Sequence, residues 1–436
     1  MARADFPVSA LARRIFDISA KAGFEARIVG GAVRDWLAGR PCGDIDMAVN
    51  APIGEMAIAF QSDGLHVIET GIAHGTVTVL ERSAEASDKI EVTQTRVDLE
   101  TDGRHAVVAF DDDWLADARR RDFTINAMYV DAIGTLHDPL DGAADLAAGR
   151  LRFVGDADSR VQEDALRMLR YCRFLPLFGS AGVDPQAYEA LRANAGRAAN
   201  LSGERVAGEL RRIFQAAGAV TAITLMHQSG VDIAAVGHRL NEAPLSRFPD
   251  GLLNSLPATD YFRQDQIWLA GLAVALTNAG PPDNRETIGD AKSGGAIGTD
   301  HVADRLRLSR RDARCLIMLD RNGNAENAQA LNGAEWRQAA WYFHKADISS
   351  ALVYVVASAR CGKAVMRERC AEIAAWNPPE CPVSGRDLLT LGVDKGVVIG
   401  QLLDQIERRW VESDFTLSKD ELLADLSGNL SGWWQP

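Results

Sequence analysis

The period of the hydrophobic pattern changes near Asp158, and this change constrains the fold more than any other feature of the sequence. Before it, short apolar runs such as ARIVGG and GTVTVL alternate with polar turns, as strands of a mixed sheet do. SALARRIFDISAKAG and GEMAIAFQSDG have the spacing of amphipathic helices on that sheet. After it, apolar residues recur every three to four positions. The sequence predicts an α+β protein: a mixed β-sheet with flanking helices, followed by an all-α remainder.

Chain length and the change of period together predict three domains. A chain of 436 residues is long enough for about two to four domains. We expect an α+β head at residues 1–150, a helical neck at 151–245 and a helical body and tail at 246–436. The last boundary is placed where three prolines between residues 244 and 257 interrupt the helical pattern.

Composition excludes several classes of protein. Hydrophobic residues make up 47% of the chain and charged residues 25%, as in a globular protein. No run of about eighteen apolar residues occurs, and charges interrupt the N-terminal segment before a signal-peptide core could form. The six cysteines are scattered without a CxxC pair, so neither disulfides nor structural zinc are expected. We predict a cytoplasmic protein without a membrane partner; its oligomeric state is left open.

Two aspartates, Asp44 and Asp46, follow a strand that ends in two glycines. On a strand, residues i and i+2 share a face, so these carboxylates would stand side by side while Ile45 enters the core. Hard oxygen ligands favour Mg²⁺, and no thiolate or imidazole cluster is present to attract zinc. A solvated turn is the alternative for the pair alone. Gly30 and Gly31 favour the metal site, because glycines let the backbone approach a triphosphate closely; a tight turn is their alternative.

The segment GGAVRDWLAGRPCGDID resembles the signature of the class II CCA-adding tRNA nucleotidyltransferase and bacterial poly(A) polymerase family. Four later segments resemble further family motifs in order and spacing: RRDFTINAM, DPLDGAADL, EDALRMLRYCRF and SGERVAGELRRIF. Arg34 could reach phosphate oxygens from the helix after the glycines. The resemblance implies a nucleotidyltransferase head in a bacterial CCA-adding enzyme. An extra HD phosphohydrolase domain is not expected, because the later histidines form no ligand cluster.

The resemblance implies that Asp44 and Asp46 hold two magnesium ions, which activate the attacking 3′-hydroxyl and bridge the nucleotide's phosphates. Glu91, in the alternating strand KIEVTQTR, is the candidate for a third catalytic carboxylate. An exposed strand glutamate explains Glu91 equally well.

The motif RRDFTINAM is expected to bind the triphosphate and the ribose. By resemblance, the contacts come from Arg120, Arg121, Asp122 and Asn126. Arginines neutralise the departing pyrophosphate, and Asp122 can accept from a ribose hydroxyl. A charged helix start would explain Asp122 but not the whole set.

The motif EDALRMLR is expected to recognise the base. Asp164 and Arg167 are three residues apart on a predicted helix and so share a face. Cytosine and adenine each present an amino donor beside a ring-nitrogen acceptor, which an Asp acceptor beside an Arg donor complements; guanine and uracil present the reverse order. A surface ion pair is the alternative. Glu163 and Arg170 are expected to orient the pair.

These assignments predict addition or repair of the 3′-terminal CCA of tRNA from CTP and ATP, without a nucleic-acid template. A poly(A) polymerase would share every head motif, and a catalytically silent RNA-binding protein is the alternative from another class. The acidic C-terminal region weighs against the polymerase, which would need basic segments for sequence-independent RNA binding. The resemblance implies that a polar loop containing Gly103, Arg104 and His105 favours complete CCA addition; an ordinary hairpin connection is the alternative. The arginines between 305 and 314 are candidates for local tRNA contacts.

Overall fold

The structure is a computed structural model that describes residues 6–82, 87–101, 106–110, 112–247, 264–276, 298–362, 366–393 and 397–428. The chain divides into two compact units, Met1–Glu209 with Thr221–Arg239, and Leu210–Val220 with Leu240–Pro436. The first unit holds the sheet and the second is helical in its described parts. The three predicted domains stay a prediction, and their boundary near residue 245 adjoins residues 248–263, outside the described ranges.

The strands of the first unit are β1 (Ala26–Val29), β2 (Asp46–Val49), β3 (His66–Ile68), β4 (Thr76–Arg82), β5 (Ser87–Gln94), β6 (Arg96–Thr101), β7 (Ala106–Phe110), β8 (Tyr129–Val130) and β9 (Leu136–His137). Seven of them form one sheet in the order β3-β4-β5-β2-β1-β8-β9, while β6 and β7 form a separate antiparallel ribbon. In the larger sheet only β2 and β5 pair in parallel. The predicted mixed sheet is confirmed.

The helices of the first unit include the two that the sequence predicts over SALARRIFDISAKAG and GEMAIAFQSDG. They are α1 (Ala10–Lys21), α2 (Gly31–Leu37), α3 (Ile53–Ser62), α4 (Trp114–Arg119), α5 (Gly142–Ala147), α6 (Ala157–Glu163), α7 (Leu166–Phe178), α8 (Pro185–Asn194), α9 (Gly203–Gln215, which continues into the second unit), α10 (Ala219–Ser229) and α11 (Val231–Val236). Residues of α1, α2 and α3 share one buried cluster with β1, β2, β4 and β5. That cluster is the core of the head and leaves the C-terminal end of β1 and the start of β2 for chemistry.

The helix predicted across EDALRMLR is interrupted at Asp164. α6 ends at Glu163, and Asp164 is extended, with φ −148° and ψ 104°, before α7 begins at Leu166. The Asp164 carboxylate accepts from the backbone N–H of Leu166 at 3.0 Å, a local bond that competes with helix continuation. The prediction that Asp164 and Arg167 lie on one helix is therefore wrong for Asp164.

In its described ranges, the second unit has helices and no strand, as predicted. They are Gln264–Ala275, Thr299–Arg305, Arg310–Asn322, Ala325–Asn332, Trp336–Lys345, Ser350–Arg360, Arg367–Ala375, Gly385–Thr390, Val397–Glu412 and Lys419–Gly428. One of its cores joins Trp341, Leu388, Ile406 and Trp410. No helix in the described part of the chain is long and apolar enough to cross a membrane.

Candidate active site

Three carboxylates lie near one another at the start of β2. Asp46 is the first residue of β2 and stands in register with Glu91 on the parallel strand β5. Neighbouring side chains in register on parallel strands project to the same face of the sheet. Asp44 lies in a bend before β2, so the prediction that both aspartates are on a strand is wrong for Asp44. Ile45 packs against the head core, as predicted.

Burial of its carboxylate raises the pKa of Asp46 to about 6. Desolvation of the carboxylate is the main cause, and the negative charges of Glu91 and Asp44 add to it, while Arg121 opposes them. The residue as a whole is exposed, so a cation can reach it.

The carboxylates fit a hard divalent cation that also binds the substrate's phosphates. Among the described residues, no three His, Cys, Asp or Glu side chains are arranged to hold a metal ion by themselves. Mg²⁺ is usually bound through one or two carboxylates together with substrate phosphates, so an incomplete protein ligand set is what this ion needs. Crowded negative charge on oxygen ligands suits the same ion.

The turn after β1 depends on Gly30. Its φ of 74° and ψ of −123° are accessible to glycine and strained for any other residue. A Cβ atom there would lie 3.8 Å from Nη1 of Arg121 and 3.9 Å from the carbonyl oxygen of Asn126. Gly31 then begins α2. The turn brings the backbone of this motif beside the RRDFTINAM motif.

Arg34 lies inside the head. Its Nη1 donates to Oδ1 of Asn126 at 2.7 Å, and its Nε and Nη2 donate to Asp35, each at 3.0 Å. The guanidinium carbon is 4.4 Å from the ring centre of Phe178. Burial lowers the pKa of Arg34, an effect that Asp35 opposes. Through its bond to Asn126, Arg34 connects the helix after the glycines to the RRDFTINAM motif. Its contact with phosphate stays a prediction.

Asp122 is a mostly buried carboxylate that accepts hydrogen bonds at both of its oxygens. Oδ1 accepts from Nδ2 of Asn126 at 3.0 Å and from the backbone N–H of Phe123 at 2.9 Å, and Oδ2 accepts from Nε of Arg170 at 2.7 Å. Burial alone would raise the pKa of Asp122, but the charge of Arg170 and these hydrogen bonds lower it. Asp122 is therefore held as an anion. Arg170 contacts Asp122, whereas the sequence suggested that it orients Asp164 and Arg167.

Arg120 and Arg121 share one buried carboxylate, that of Asp117. Nε of Arg120 donates to its Oδ1 at 2.7 Å, and Nη2 of Arg121 donates to its Oδ2 at 2.8 Å. Tyr129 donates its hydroxyl to the same Oδ2 at 2.8 Å. Among the described residues, Nη1 of Arg121 has no hydrogen-bond partner, which leaves it available to an anion. Asp117 thus fixes both arginines in place.

Asp164 and Arg167, the pair expected to recognise the base, form hydrogen bonds with residues from several parts of the chain. Nη1 of Arg167 donates to Glu163 at 2.6 Å, and its Nη2 donates to the carbonyl oxygen of Arg120 at 3.3 Å. Oδ2 of Asp164 accepts from Nη2 of Arg205 at 2.7 Å. The structure therefore brings the EDALRMLR and RRDFTINAM motifs together.

Three residues of this site were not predicted from the sequence: Asp117, Arg160 and Arg205. Asp117 had a signal, because it precedes the two arginines by three and four positions on a predicted helix. Arg160 donates to the carbonyl oxygens of Arg120 at 2.5 Å and Arg121 at 2.6 Å, and also pairs with Glu163. The pairing of Arg160 with Glu163 is local, but the backbone partners of Arg160 and the carboxylate partner of Arg205 lie 39 to 41 positions away in the chain and had no local signal. The loop residues Gly103, Arg104 and His105 lie outside the described ranges.

Known proteins resemble this chain along most of its length. The family model of the poly A polymerase head domain matches residues 26–152, and that of the probable RNA and SrmB-binding site of polymerase A matches residues 182–231. CCA tRNA nucleotidyltransferase 1, mitochondrial, of Danio rerio is 34% identical over 424 residues, which cover 94% of this chain and 89% of that protein. The CCA-adding enzyme of Geobacillus thermodenitrificans is 36% identical over 233 residues, or 52% of this chain and 56% of that one.

A solved structure has the same fold. The crystal structure of the Bacillus stearothermophilus CCA-adding enzyme in complex with CTP superimposes with a TM-score of 0.71, covers 98% of both chains and is 24% identical.

The mixed sheet and the motifs around its carboxylates define the class: this is an enzyme of the nucleotidyltransferase type. Within that class, the chain belongs to the family of CCA tRNA nucleotidyltransferases, because its similarity to the Danio rerio protein spans nearly the whole of both chains. The family predicted from the motifs is confirmed.

Proposed function

We propose that this protein adds or repairs the 3′-terminal CCA of tRNA, using CTP and ATP as substrates and releasing pyrophosphate. The observation that carries this function is the continuity of the site. Arg121 is close enough to Asp46 to affect its pKa, and the carbonyl oxygen of the adjacent Arg120 accepts from Arg167. The side chains proposed for chemistry and those proposed for base recognition therefore line one site.

In this mechanism, Asp44 and Asp46 hold Mg²⁺, and Glu91 lies beside them. The bound metal would make the 3′-hydroxyl of tRNA a better nucleophile and neutralise charge on the phosphates. Arg121 presents Nη1 toward the Gly30 turn, where it would balance the charge that develops on the leaving pyrophosphate. Asp117 keeps that guanidinium from rotating away.

Base selection would come from Asp164 and Arg167. An acceptor beside a donor complements the amino group and ring nitrogen of cytosine and of adenine. Guanine or uracil would leave both protein groups without a partner, and such unpaired polar groups cost about 1–3 kcal/mol each. The ribose would be held at Asp122, whose carboxylate is already fixed by Asn126 and Arg170.

The test uses purified protein with Mg²⁺ and three RNAs: a tRNA transcript that ends at the discriminator base, one that ends in CC, and an unstructured RNA. Products formed with CTP, ATP or both are resolved to one nucleotide. We expect CCA on the first, A on the second and little on the third. Addition of A only to the CC transcript would show a division of labour with a separate CC-adding enzyme.

A poly(A) polymerase is the second candidate, because the matching head-domain model is named for that enzyme. Long A tails on all three RNAs would establish it. If the wild-type protein binds tRNA but incorporates no nucleotide into any of the three RNAs, it is a catalytically silent RNA-binding protein.

The base-reading proposal has its own test. We expect Asp164→Ala and Arg167→Ala to incorporate UMP and GMP more readily relative to CMP and AMP. Arg13→Ala is the control, since Arg13 is an exposed residue of α1 and lies outside the motifs assigned to the site. Unchanged selectivity in both site variants would contradict the mechanism.

We also propose a reducing, cytoplasmic location, supported by the cysteines. All six are free thiols in the structure. A reducing compartment keeps thiols in that state. Fractionation of the source cells with an antibody to the protein tests this location.

A further inference from the structure

The motif SGERVAGELRRIF has no role in the mechanism above, although it contributes directly to the base-reading site. It lies within the region matched by the model for a probable RNA and SrmB-binding site. In the structure it forms α9, and the first turn of this helix places Arg205 against Asp164, with Nη2 2.7 Å from Oδ2.

The Asp164 carboxylate is anchored at both of its oxygens. Oδ1 accepts from the backbone N–H of Leu166 at 3.0 Å, and Oδ2 accepts from Arg205. Each carboxylate oxygen can accept two hydrogen bonds, so both oxygens keep capacity for a base. The terminal torsion of an aspartate is otherwise broad, and two anchors in different directions fix the plane of the carboxylate. Both side chains remain partly exposed, 25% for Asp164 and 31% for Arg205, so a base can approach.

One turn after Arg205, α9 forms salt bridges with α7 through Glu209. Glu209 is four residues after Arg205 and therefore lies on the same side of α9. Its side chain is 2% exposed, accepts from Nε of Arg173 at 2.7 Å, and lies 4.0 Å from Nη1 of Arg170. Arg205 thus acts from a helix whose position relative to α7 is fixed by buried charge.

We propose that Arg205 is a positioning residue that determines nucleotide specificity, because it holds Asp164 in the orientation that accepts the amino group of cytosine or adenine. The proposal rests on the proposed function of Asp164. Without Arg205, the carboxylate can rotate about its side-chain torsions and adapt to a base edge that it should reject. Discrimination against UTP and GTP then falls, while the carboxylates and arginines proposed for nucleotidyl transfer keep their positions.

The experiment measures kcat and KM for CTP, ATP, UTP and GTP on tRNA ends in wild type, Arg205→Ala, Arg205→Gln and Arg205→Lys. Arg13→Ala is the control for loss of an exposed arginine. We expect the ratio of kcat/KM for correct over incorrect nucleotides to fall about tenfold or more in Arg205→Ala, since a charge-assisted hydrogen bond contributes about 1.5–3 kcal/mol. KM for CTP should rise more than its kcat falls. Arg205→Lys should restore part of the selectivity, and Arg13→Ala should match wild type.

A purely structural role for Arg205 gives a different result. All four nucleotides would then lose activity in proportion, together with the melting temperature, and the selectivity ratio would stay at the wild-type value, which overturns the proposal. If Arg205→Ala does not fold, Arg205→Gln decides, and wild-type selectivity in that variant also overturns it. Failure of the proposed function is seen separately, because wild-type protein would then not add CCA.

Discussion

Arg170 closes on the carboxylate of Asp122, with Nε 2.7 Å and Nη2 2.6 Å from the same Oδ2 atom. The two residues are 48 positions apart in the chain: Arg170 is on α7, and Asp122 lies in the bend that follows α4. Asp122 is 10% exposed and its pKa is lowered, so the pair holds an ionised carboxylate inside the site. The geometry of the expected ribose contact therefore depends on α7.

Removal of Arg170 should destabilise the protein through this carboxylate. We expect Arg170→Ala to lower the free energy of unfolding by about 2 kcal/mol, because a mostly buried charge loses its partner. Asp122→Asn in the same chain should recover part of the loss, since the amide needs no counter-charge. Urea unfolding of both single variants and the double variant measures the coupling. Strictly additive effects would show that the two residues are energetically independent.

Asp117 should make stability depend on pH at the acid end. Burial would raise the pKa of Asp117, but the charges of Arg121 and Arg120 and the hydrogen bonds from Arg121 and Tyr129 lower it. The folded-state pKa is below the unfolded value of about 3.9, so the carboxylate stabilises the fold above about pH 4, and this contribution is lost as pH falls through the folded-state pKa.

We expect Asp117→Asn to be about 3 kcal/mol less stable than wild type at neutral pH. The difference should shrink below about pH 4. Urea unfolding at several pH values measures it, with the exposed Asp112→Asn as the control. A difference that does not change with pH would contradict the role of the charge.

Asp46→Asn should remove activity without unfolding the protein. We expect incorporation to fall by about 10³-fold, because the carboxylate is proposed to hold the metal that supplies several kcal/mol of charge stabilisation. Glu91 and Asp44 crowd Asp46 with like charge, so the melting temperature of the variant should equal or exceed that of wild type. tRNA binding should be unchanged. Asp17→Asn, at an exposed position of α1, is the control.

Glu91 lies in register with Asp46, so its proposed role near the metal can be tested by substitution. We expect Glu91→Gln to raise the Mg²⁺ concentration for half-maximal activity about tenfold, the effect of losing a partner near a metal ligand. Asp88→Asn is a matched control, since Asp88 is an exposed carboxylate on the same strand. An equal Mg²⁺ requirement in both variants would make Glu91 an ordinary exposed strand residue.

Arg307 occupies a position that favours glycine. It follows the helix Thr299–Arg305 with φ 50°, and its backbone N–H donates to the carbonyl oxygen of Asp304 at 3.0 Å. Arg307→Gly should stabilise the protein by about 0.5–1 kcal/mol, because it relieves the left-handed conformation. If the arginine contacts a tRNA phosphate, the slope of log affinity against log salt should fall by about one.

The control for this prediction is Asp347→Gly, which changes another left-handed residue of the second unit, at φ 58°. It should leave tRNA binding unchanged. Stabilisation of Arg307→Gly with an unchanged salt slope would remove Arg307 from the tRNA surface.

The strands and helices of the head could be predicted because each has a strong local pattern. The runs around β1, β2, β4 and β5 alternate or are fully apolar, and turn residues separate them. The break at Asp164 could not be predicted, because Asp164 sits within a helical apolar period. Its extended conformation depends on a side-chain bond to Leu166 that the period does not reveal.

The sequence by itself determined the fold class, the family and the residue types of the site, because periodicity and motif spacing are local properties of the chain. Only the tertiary structure decided how those residues are held. Asp46 meets Glu91 through strand register, Asp122 meets Arg170, and Asp164 meets Arg205. Each pair joins residues more than 40 positions apart in the chain, so no local sequence pattern can identify the partner.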